Sequence, residues 1–239
     1  MVNMSFNQGH FPKSQKHAIV GPRIKTLSLD PTDLKSYRPV SNITFILKLI
    51  ERIALNRLSV HSGLFRLLPA RQLAYRRFHS TDSAVAIVHN DIVRATDAGL
   101  ITALVLLDLS AAVDIQDHGI LLDVLPSRFG VTDRVFEWIQ SYLTSQTQVL
   151  STGSDYSEVT LIACSVPRGS VVRPLLFIAD TEDLEDTISR FTFNHHMYAD
   201  DTQLSLKDVQ YVRSVLERCI FAIQYWCSSR RLQLNLDKI

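Results

Sequence analysis

The sequence predicts an α+β fold, and three patterns predict it. Apolar residues recur at helical spacing in several long segments. Two stretches alternate around tight turns, as β-hairpins do. Helices and strands follow one another without the strict alternation of a doubly wound sheet. The 239 residues are 46% hydrophobic and 21% charged, enough apolar material for a core and unlike a disordered chain. Lys plus Arg is 25 and Asp plus Glu is 24, which excludes a strongly basic nucleic-acid coat but leaves room for a local basic groove. Cys164, Cys219 and Cys227 form no CxxC pair, so neither a disulfide scaffold nor a thiolate zinc site is expected. No signal peptide or transmembrane run is visible, so an intracellular protein, nuclear or cytoplasmic, without a membrane partner is expected.

Taken in order, residues 1–36 read as a polar lead-in broken by Pro12, Pro22 and Pro31, with Ala18–Val20 as its strand-like piece. Ser41–Val60 carries a helical stripe of Ile43, Ile46, Leu47, Ile50, Ile53, Ala54 and Leu58, with Ser41 or Asn42 as N-cap and Gly63 as stop. An irregular stretch follows, rich in arginine: Arg66, Arg71, Arg76 and Arg77. Ser80, Thr81 and Asp82 offer caps for a second helix with Val85, Val88, Ile92 and Ala95 on one face. Ile101–Leu109 is an aliphatic, β-branched run and predicts a buried strand.

His118–Arg128 predicts a helix that Pro126 should kink or end. Another helix runs from Thr132 or Asp133 to about Thr144. Gln146–Ser151 and Glu158–Ser165 predict a hairpin around Gly153. A helix follows Pro174. Phe191–Met197 and Thr202–Leu206 predict a second hairpin. Val209–Arg230 is the strongest helix, with Cys219, Ile223 and Trp226 in phase.

The chemistry-bearing residues are acids. Asp108 ends an apolar strand, where a carboxylate is costly without compensation. Asp200 and Asp201 sit together at the second hairpin's tip, repel each other, and call for a countercharge. Mg²⁺ takes oxygen ligands and is commonly held by one or two carboxylates plus substrate phosphates. His195 and His196 are neighbours in a strand and face opposite sides, so they do not share a zinc ion. Cys219 and Cys227 read as core thiols.

Six ordered blocks give the sequence a family likeness. Leu106-Leu107-Asp108-Leu109-Ser110-Ala111-Ala112-Val113-Asp114 resembles the first catalytic motif of reverse transcriptases from non-LTR (LINE-type) retrotransposons, and Tyr198-Ala199-Asp200-Asp201 their second. Ser36–Asn42, Gln72–Arg76 with His79–Thr81, Ser165–Val171 and Leu234–Lys238 fall in the family's order, from about Phe11 to the last residue.

The resemblance implies the fingers and palm of a right-hand polymerase, with an antiparallel palm sheet flanked by helices. The expected division is a lead-in at 1–36, fingers at 37–100 and palm at 101–239, with the thumb absent. The implied activity is RNA-directed DNA polymerisation on an RNA template and DNA primer, with dNTP as substrate. Asp108, Asp200 and Asp201 match the metal-binding acids, completed by the carbonyl of Leu109, for two Mg²⁺ ions or Mn²⁺ in their place. Ala111, Ala112, Val113, Arg168 and Arg76 match nucleotide-binding positions, and Lys238 matches a lysine that protonates the leaving pyrophosphate.

Four positions depart from the family pattern. Val113 replaces an aromatic, Arg168 a glutamine, Arg173 a glycine, and Asp180 another aromatic. These departures open an alternative: a degenerate fragment that keeps the fold without the activity. A metal-dependent phosphohydrolase using the same acids is a third reading, with no motif of its own.

Overall fold

The computed structural model describes residues 2–99, 102–110, 112–206 and 212–236. They form two compact units that interleave in sequence: residues 1–64 with 117–173, and 65–116 with 174–239. Each unit takes residues from both sides of position 100, where the sequence analysis divides fingers from palm.

The first unit contains helix α1 (Val2–Asn7), strands β1 (His17–Ile24) and β2 (Tyr37–Asn42), and helix α2 (Phe45–Leu64). After the excursion into the second unit come α4 (His118–Phe129), α5 (Asp133–Leu143), β4 (Thr147–Thr152), β5 (Asp155–Tyr156) and β6 (Thr160–Leu161). Its sheet runs β2-β1-β4-β5, with β6 also paired to β4. β1 pairs antiparallel with β2 and parallel with β4, from His17↔Thr147 to Val20↔Leu150.

The lead-in is therefore part of the sheet. The sequence expectation caught only Ala18–Val20 because Gly21 and Pro22 interrupt the alternation, yet the strand continues through both. Ser41 and Asn42 lie in β2 and do not cap α2. That cap is Thr44, whose hydroxyl accepts from the Leu47 N–H at 3.0 Å. Gly63 does not stop α2, which continues to Leu64. Pro126 does not end α4 either; the helix reaches Phe129 and stops at Gly130, in the left-handed region at φ 61°.

The core of this unit is aromatic. Trp138 and Tyr142 stack with centroids 5.7 Å apart, and Phe11 meets Tyr142 edge-on at 4.9 Å. Glu51 of α2 is fully buried beside them. Its carboxylate accepts from the Tyr142 hydroxyl and from the Val171 N–H at 2.7 Å, and Tyr142 meets the Ser170 hydroxyl at 3.0 Å. This ties α2 and α5 to the turn that carries Arg168.

The second unit contains α3 (Thr81–Asp97), β3 (Ala103–Leu107), α6 (Arg173–Asp180), α7 (Leu184–Ile188), β7 (Asn194–Tyr198), β8 (Asp201–Leu206) and α8 (Val212–Ser229). Ser80 and Ser83 form a capping box at the start of α3. Of the stripe expected on α3, Val85 faces solvent and Ala84 is buried in its place. The sheet is antiparallel, in the order β3-β8-β7. Residues 209–211 of the last expected helix lie outside the described residues.

β3 is not the fully buried strand its composition suggests. Its alternation exposes Leu104 (42%) and Leu106 (55%) while Leu107 is buried. Leu204 of β8 packs in one buried cluster with Ile188, Phe177, Cys219, Ile223 and Trp226. Burial pushes the Cys219 thiol up to about 11 and the Cys227 thiol up to about 12, so both stay protonated core side chains. Among the described residues no helix is long and apolar enough to cross a membrane.

Candidate active site

Strand register positions the acids. β3 and β8 pair from Ala103↔Leu206 to Leu107↔Thr202. One step further along the same register sets Asp108 beside Asp201, which opens β8. Asp201 in turn pairs with Tyr198 at the end of β7. Asp200 occupies the two-residue turn between those strands. All three acids thus stand at one end of one antiparallel sheet, although 92 residues of sequence (200 − 108) separate the first pair.

The turn has an uncommon backbone. Ala199 adopts φ 56°, the left-handed region, where a side chain costs energy. It is also held from outside the hairpin. Residues 71–73 run beside β7, with the Leu73 N–H donating to the Met197 carbonyl at 2.8 Å and the Met197 N–H to the Arg71 carbonyl at 2.9 Å. The Gln72 side chain is buried and reaches the turn itself. Its Nε2 donates to the Ala199 carbonyl at 3.0 Å, and its Oε1 accepts from the Ala199 N–H at 2.9 Å.

Asp108 is anchored from the other side. The chain at 108–110 bridges to 233–235, with the Asn235 N–H donating to the Asp108 carbonyl at 2.9 Å and the Ser110 N–H to the Gln233 carbonyl at 2.8 Å. The Asn235 amide also donates to Asp108 Oδ2 at 2.9 Å. Leu109 is buried in the same bridge, opposite Leu234. Gln72 and Asn235 are thus site residues whose roles were not read from the sequence. The only available signal was their place in two recognised blocks; polar side chains that act on a backbone leave no pattern of their own.

The other expected residues are distributed differently. Ala112 and Val113 lie in a short 3₁₀ turn after Asp108, and Val113 packs on the second unit's core. Arg76 turns back on its own loop: its Nη2 donates to the carbonyls of Pro69 and Leu68, the latter at 3.0 Å. Arg71 donates to the Asn194 side chain at 3.3 Å and to the His195 carbonyl at 3.1 Å. Arg168 is half-buried in the first unit, in a turn closed by the Ser170 N–H on the Pro167 carbonyl at 3.0 Å. Positions 111 and 238 lie outside the described residues.

The departures also have places. Arg173 opens α6, and its φ is not in the left-handed region, so replacing glycine there causes no such strain. Asp180 is buried 3.8 Å from Arg230, which also pairs with Asp183. The second hairpin's histidines separate as strand alternation requires. His195 points into the core, where burial and the Arg71 charge push its pKa down to about 4. His196 faces the other side and meets Asp91 at 2.8 Å.

As donors for a cation, three carboxylates at one sheet end have the right chemistry for Mg²⁺. Among the described residues, no group of three or more His, Cys, Asp or Glu side chains converges closely enough to hold an ion alone. The set suits an ion completed by substrate phosphate oxygens, which is how Mg²⁺ is usually held at phosphoryl-transfer sites.

Comparison with known proteins identifies the family and the fold. The chain is 28% identical over 245 aligned residues to the RNA-directed DNA polymerase from mobile element jockey of Drosophila melanogaster, covering all of this chain and 26% of that protein. It is 28% identical over 216 residues to the probable RNA-directed DNA polymerase from transposon BS of the same species, covering 85% of this chain and 23% of that one. The chain thus spans about a quarter of the length of these relatives.

Among solved structures, telomerase from Candida albicans with a fragment of telomeric RNA superposes with a TM-score of 0.62, at 12% identity, over 99% of this chain and 44% of that one. Apo telomerase from Candida tropicalis, truncated of its C-terminal domain, gives 0.65 at 10% identity, over 95% and 50%. These likenesses concern the fold, which is that of polymerase fingers and palm. The family model described as reverse transcriptase (RNA-dependent DNA polymerase) matches residues 24–239, and the chain belongs to that family, in its non-LTR retrotransposon branch.

Proposed function

We propose that this chain carries the nucleotidyl-transfer centre of an RNA-directed DNA polymerase, extending a DNA primer on an RNA template from dNTP. The observation that carries the reading is the register that puts Asp108, Asp200 and Asp201 at one sheet end. In the reaction the primer 3′-oxygen attacks the α-phosphorus of the dNTP, and pyrophosphate leaves. Two bound Mg²⁺ ions would activate the attacking oxygen and neutralise charge on the triphosphate. Asp108, just past the end of β3, and Asp201, at the start of β8, provide the negative charge that concentrates such ions. Asn235 fixes the Asp108 carboxylate by a direct hydrogen bond. Residues 37–100 serve as fingers and 101–239 as palm in this reading. The backbone amide at 112 and the 3₁₀ turn that carries Val113 face the nucleotide. Arg76 and Arg168 meet phosphate and base, and Lys238 supplies the leaving group's proton.

A second reading keeps the fold and loses the activity. Arg76 favours it, because the guanidinium assigned to phosphate is engaged with its own loop's carbonyls. The deciding experiment is primer extension on poly(rA)/oligo(dT) with Mg²⁺, with Asp200→Asn as control. Templated synthesis abolished by Asp200→Asn supports the first reading. Synthesis indifferent to Asp200→Asn refutes it, and no synthesis by the unmodified chain selects the second.

A further inference from the structure

We infer that Gln72 is a positioning residue for the acidic turn: its side-chain amide acts as a surrogate peptide group that holds Asp200 and Asp201 in their working geometry. The inference rests on the metal-centred reading above and deepens it.

Three observations carry it. The Gln72 side chain is 2% exposed, and both ends of its amide are engaged: Nε2 on the Ala199 carbonyl, Oε1 on the Ala199 and Ala74 N–H groups, at 3.0, 2.9 and 3.1 Å. The two contacts to Ala199 pair an amide with one residue's N–H and C=O, as a neighbouring strand would. A main-chain strand cannot supply them at a tight turn, because the backbone there has left the extended conformation. Second, Ala199 is the residue at φ 56° and directly precedes both acids. A left-handed alanine persists only where its surroundings over-determine it, and Gln72 is the group that grips both of its polar atoms. Third, the base of this brace is rigid. The backbone bonds on either side of Gln72 anchor residues 71–73 to Met197 of β7. A shift of Gln72 therefore moves the turn relative to β8, and with it Asp200 relative to Asp108.

Loss of the brace should act on cation binding without dismantling the unit's buried cluster. The experiment uses the whole chain and two readouts independent of activity. Amide exchange is measured on a peptide spanning the β7–β8 turn, with α5 as internal reference. Terbium(III), a hard oxygen-seeking cation excited through nearby aromatic rings, reports the acids by luminescence titration. Asp200→Asn defines which part of that signal belongs to the turn.

For Gln72→Met, which keeps the volume and removes the amide, exchange in the turn should rise at least about tenfold, since several buried hydrogen bonds are lost. The Asp200-dependent terbium affinity should fall about fivefold or more, with the α5 peptide unchanged. If Gln72→Met does not fold, Gln72→Asn, one methylene too short to reach both atoms of Ala199, should show the same two changes more weakly. Unchanged turn exchange would overturn the inference. So would raised exchange with wild-type terbium affinity, because Gln72 would then be a structural brace only. Terbium binding that Asp200→Asn leaves untouched in the unmodified chain would remove the metal-centred reading, and this inference with it.

Discussion

Replacing Glu51 probes the first unit where its polar chemistry is most concentrated. The Glu51 carboxylate is wholly buried and accepts from the Tyr142 hydroxyl and the Val171 N–H. Glu51→Ala removes the acceptor of the Val171 N–H and one of the two partners of the Tyr142 hydroxyl, which keeps Ser170, so a loss of about 3 kcal/mol is expected. That is a large share of a stability usually near 5–15 kcal/mol. Glu51→Gln should cost less, about 1–2 kcal/mol, because its amide oxygen still accepts one bond and the Tyr142 hydroxyl can rotate to accept from the new NH₂.

The pH dependence has a definite sign. Burial is the largest influence on Glu51 and raises its pKa above 4.5, outweighing the bonds from Tyr142 and Val171. The folded unit then binds a proton more tightly than the unfolded chain does. The carboxyl's contribution is fully present below pH 4.5 and is lost as pH rises through the elevated folded value. The gap between wild type and Glu51→Gln should therefore be wider at pH 4.5 than at pH 8. The two tryptophans make the assay local, since Trp138 lies in the first unit and Trp226 in the second. Urea unfolding followed by fluorescence in a Trp226→Phe background reports on the first unit. A Glu51→Gln gap that is the same at both pH values would refute the reasoning.

Three further outcomes follow from the second unit. His195 sits near pKa 4 against an ordinary 6.5, so the folded unit resists its protonation and stability falls as pH drops from 6.5 to 4. His195→Gln should flatten that fall, worth at most about 3 kcal/mol, in Trp226 fluorescence unfolding curves recorded across that window. Leu204 is fully buried at the centre of the sheet, and Leu204→Ala should destabilise by about 3 kcal/mol, seen as a lower urea midpoint with unchanged slope. Val113 is smaller than the aromatic it replaces and should leave room for a 2′-hydroxyl. Val113→Phe should then raise the preference for dNTP over rNTP in primer extension, and equal ratios for the two proteins would dismiss the idea.

What could be read from the sequence follows the range of each physical signal. Hydrophobic periodicity is local, so α5, α8 and the β7–β8 hairpin emerge directly from their stripes and alternation, whereas β5 closes the turn at Gly153 and the arm expected at 158–165 forms only the two-residue β6. The acids were legible too, because a charge at the end of an aliphatic run is conspicuous by cost. Pairing partners were not. β1 lies beside β4 through contacts more than a hundred residues apart, and nothing in His17–Ile24 announces that neighbour. β3 misled because an aliphatic run has the same composition whether one face or two are covered. Thr44 was passed over for Ser41 because both residue types cap helices, and only the extent of β2 decides between them. Gln72 and Asn235 were invisible as individuals, since one amide in a loop resembles any other until its partners are known.

The interleaving of the two units has a consequence for how the protein is made. β3 has no strand partner until β8 exists, and Leu107 must wait for Thr202, 95 residues later (202 − 107). At about 5–20 residues per second, a ribosome takes roughly 5–20 s to supply that partner. During that interval Leu104, Leu106 and their neighbours are an emerged aliphatic strand with open hydrogen-bonding edges, the kind of segment that pairs with copies of itself. The first unit closes sooner, because β1 needs only β4, 130 residues on (147 − 17) and well before β8 is made. Nascent chains should therefore show protease protection of the first unit before the second. Stalling synthesis between residues 173 and 200 should yield the most aggregation-prone intermediate.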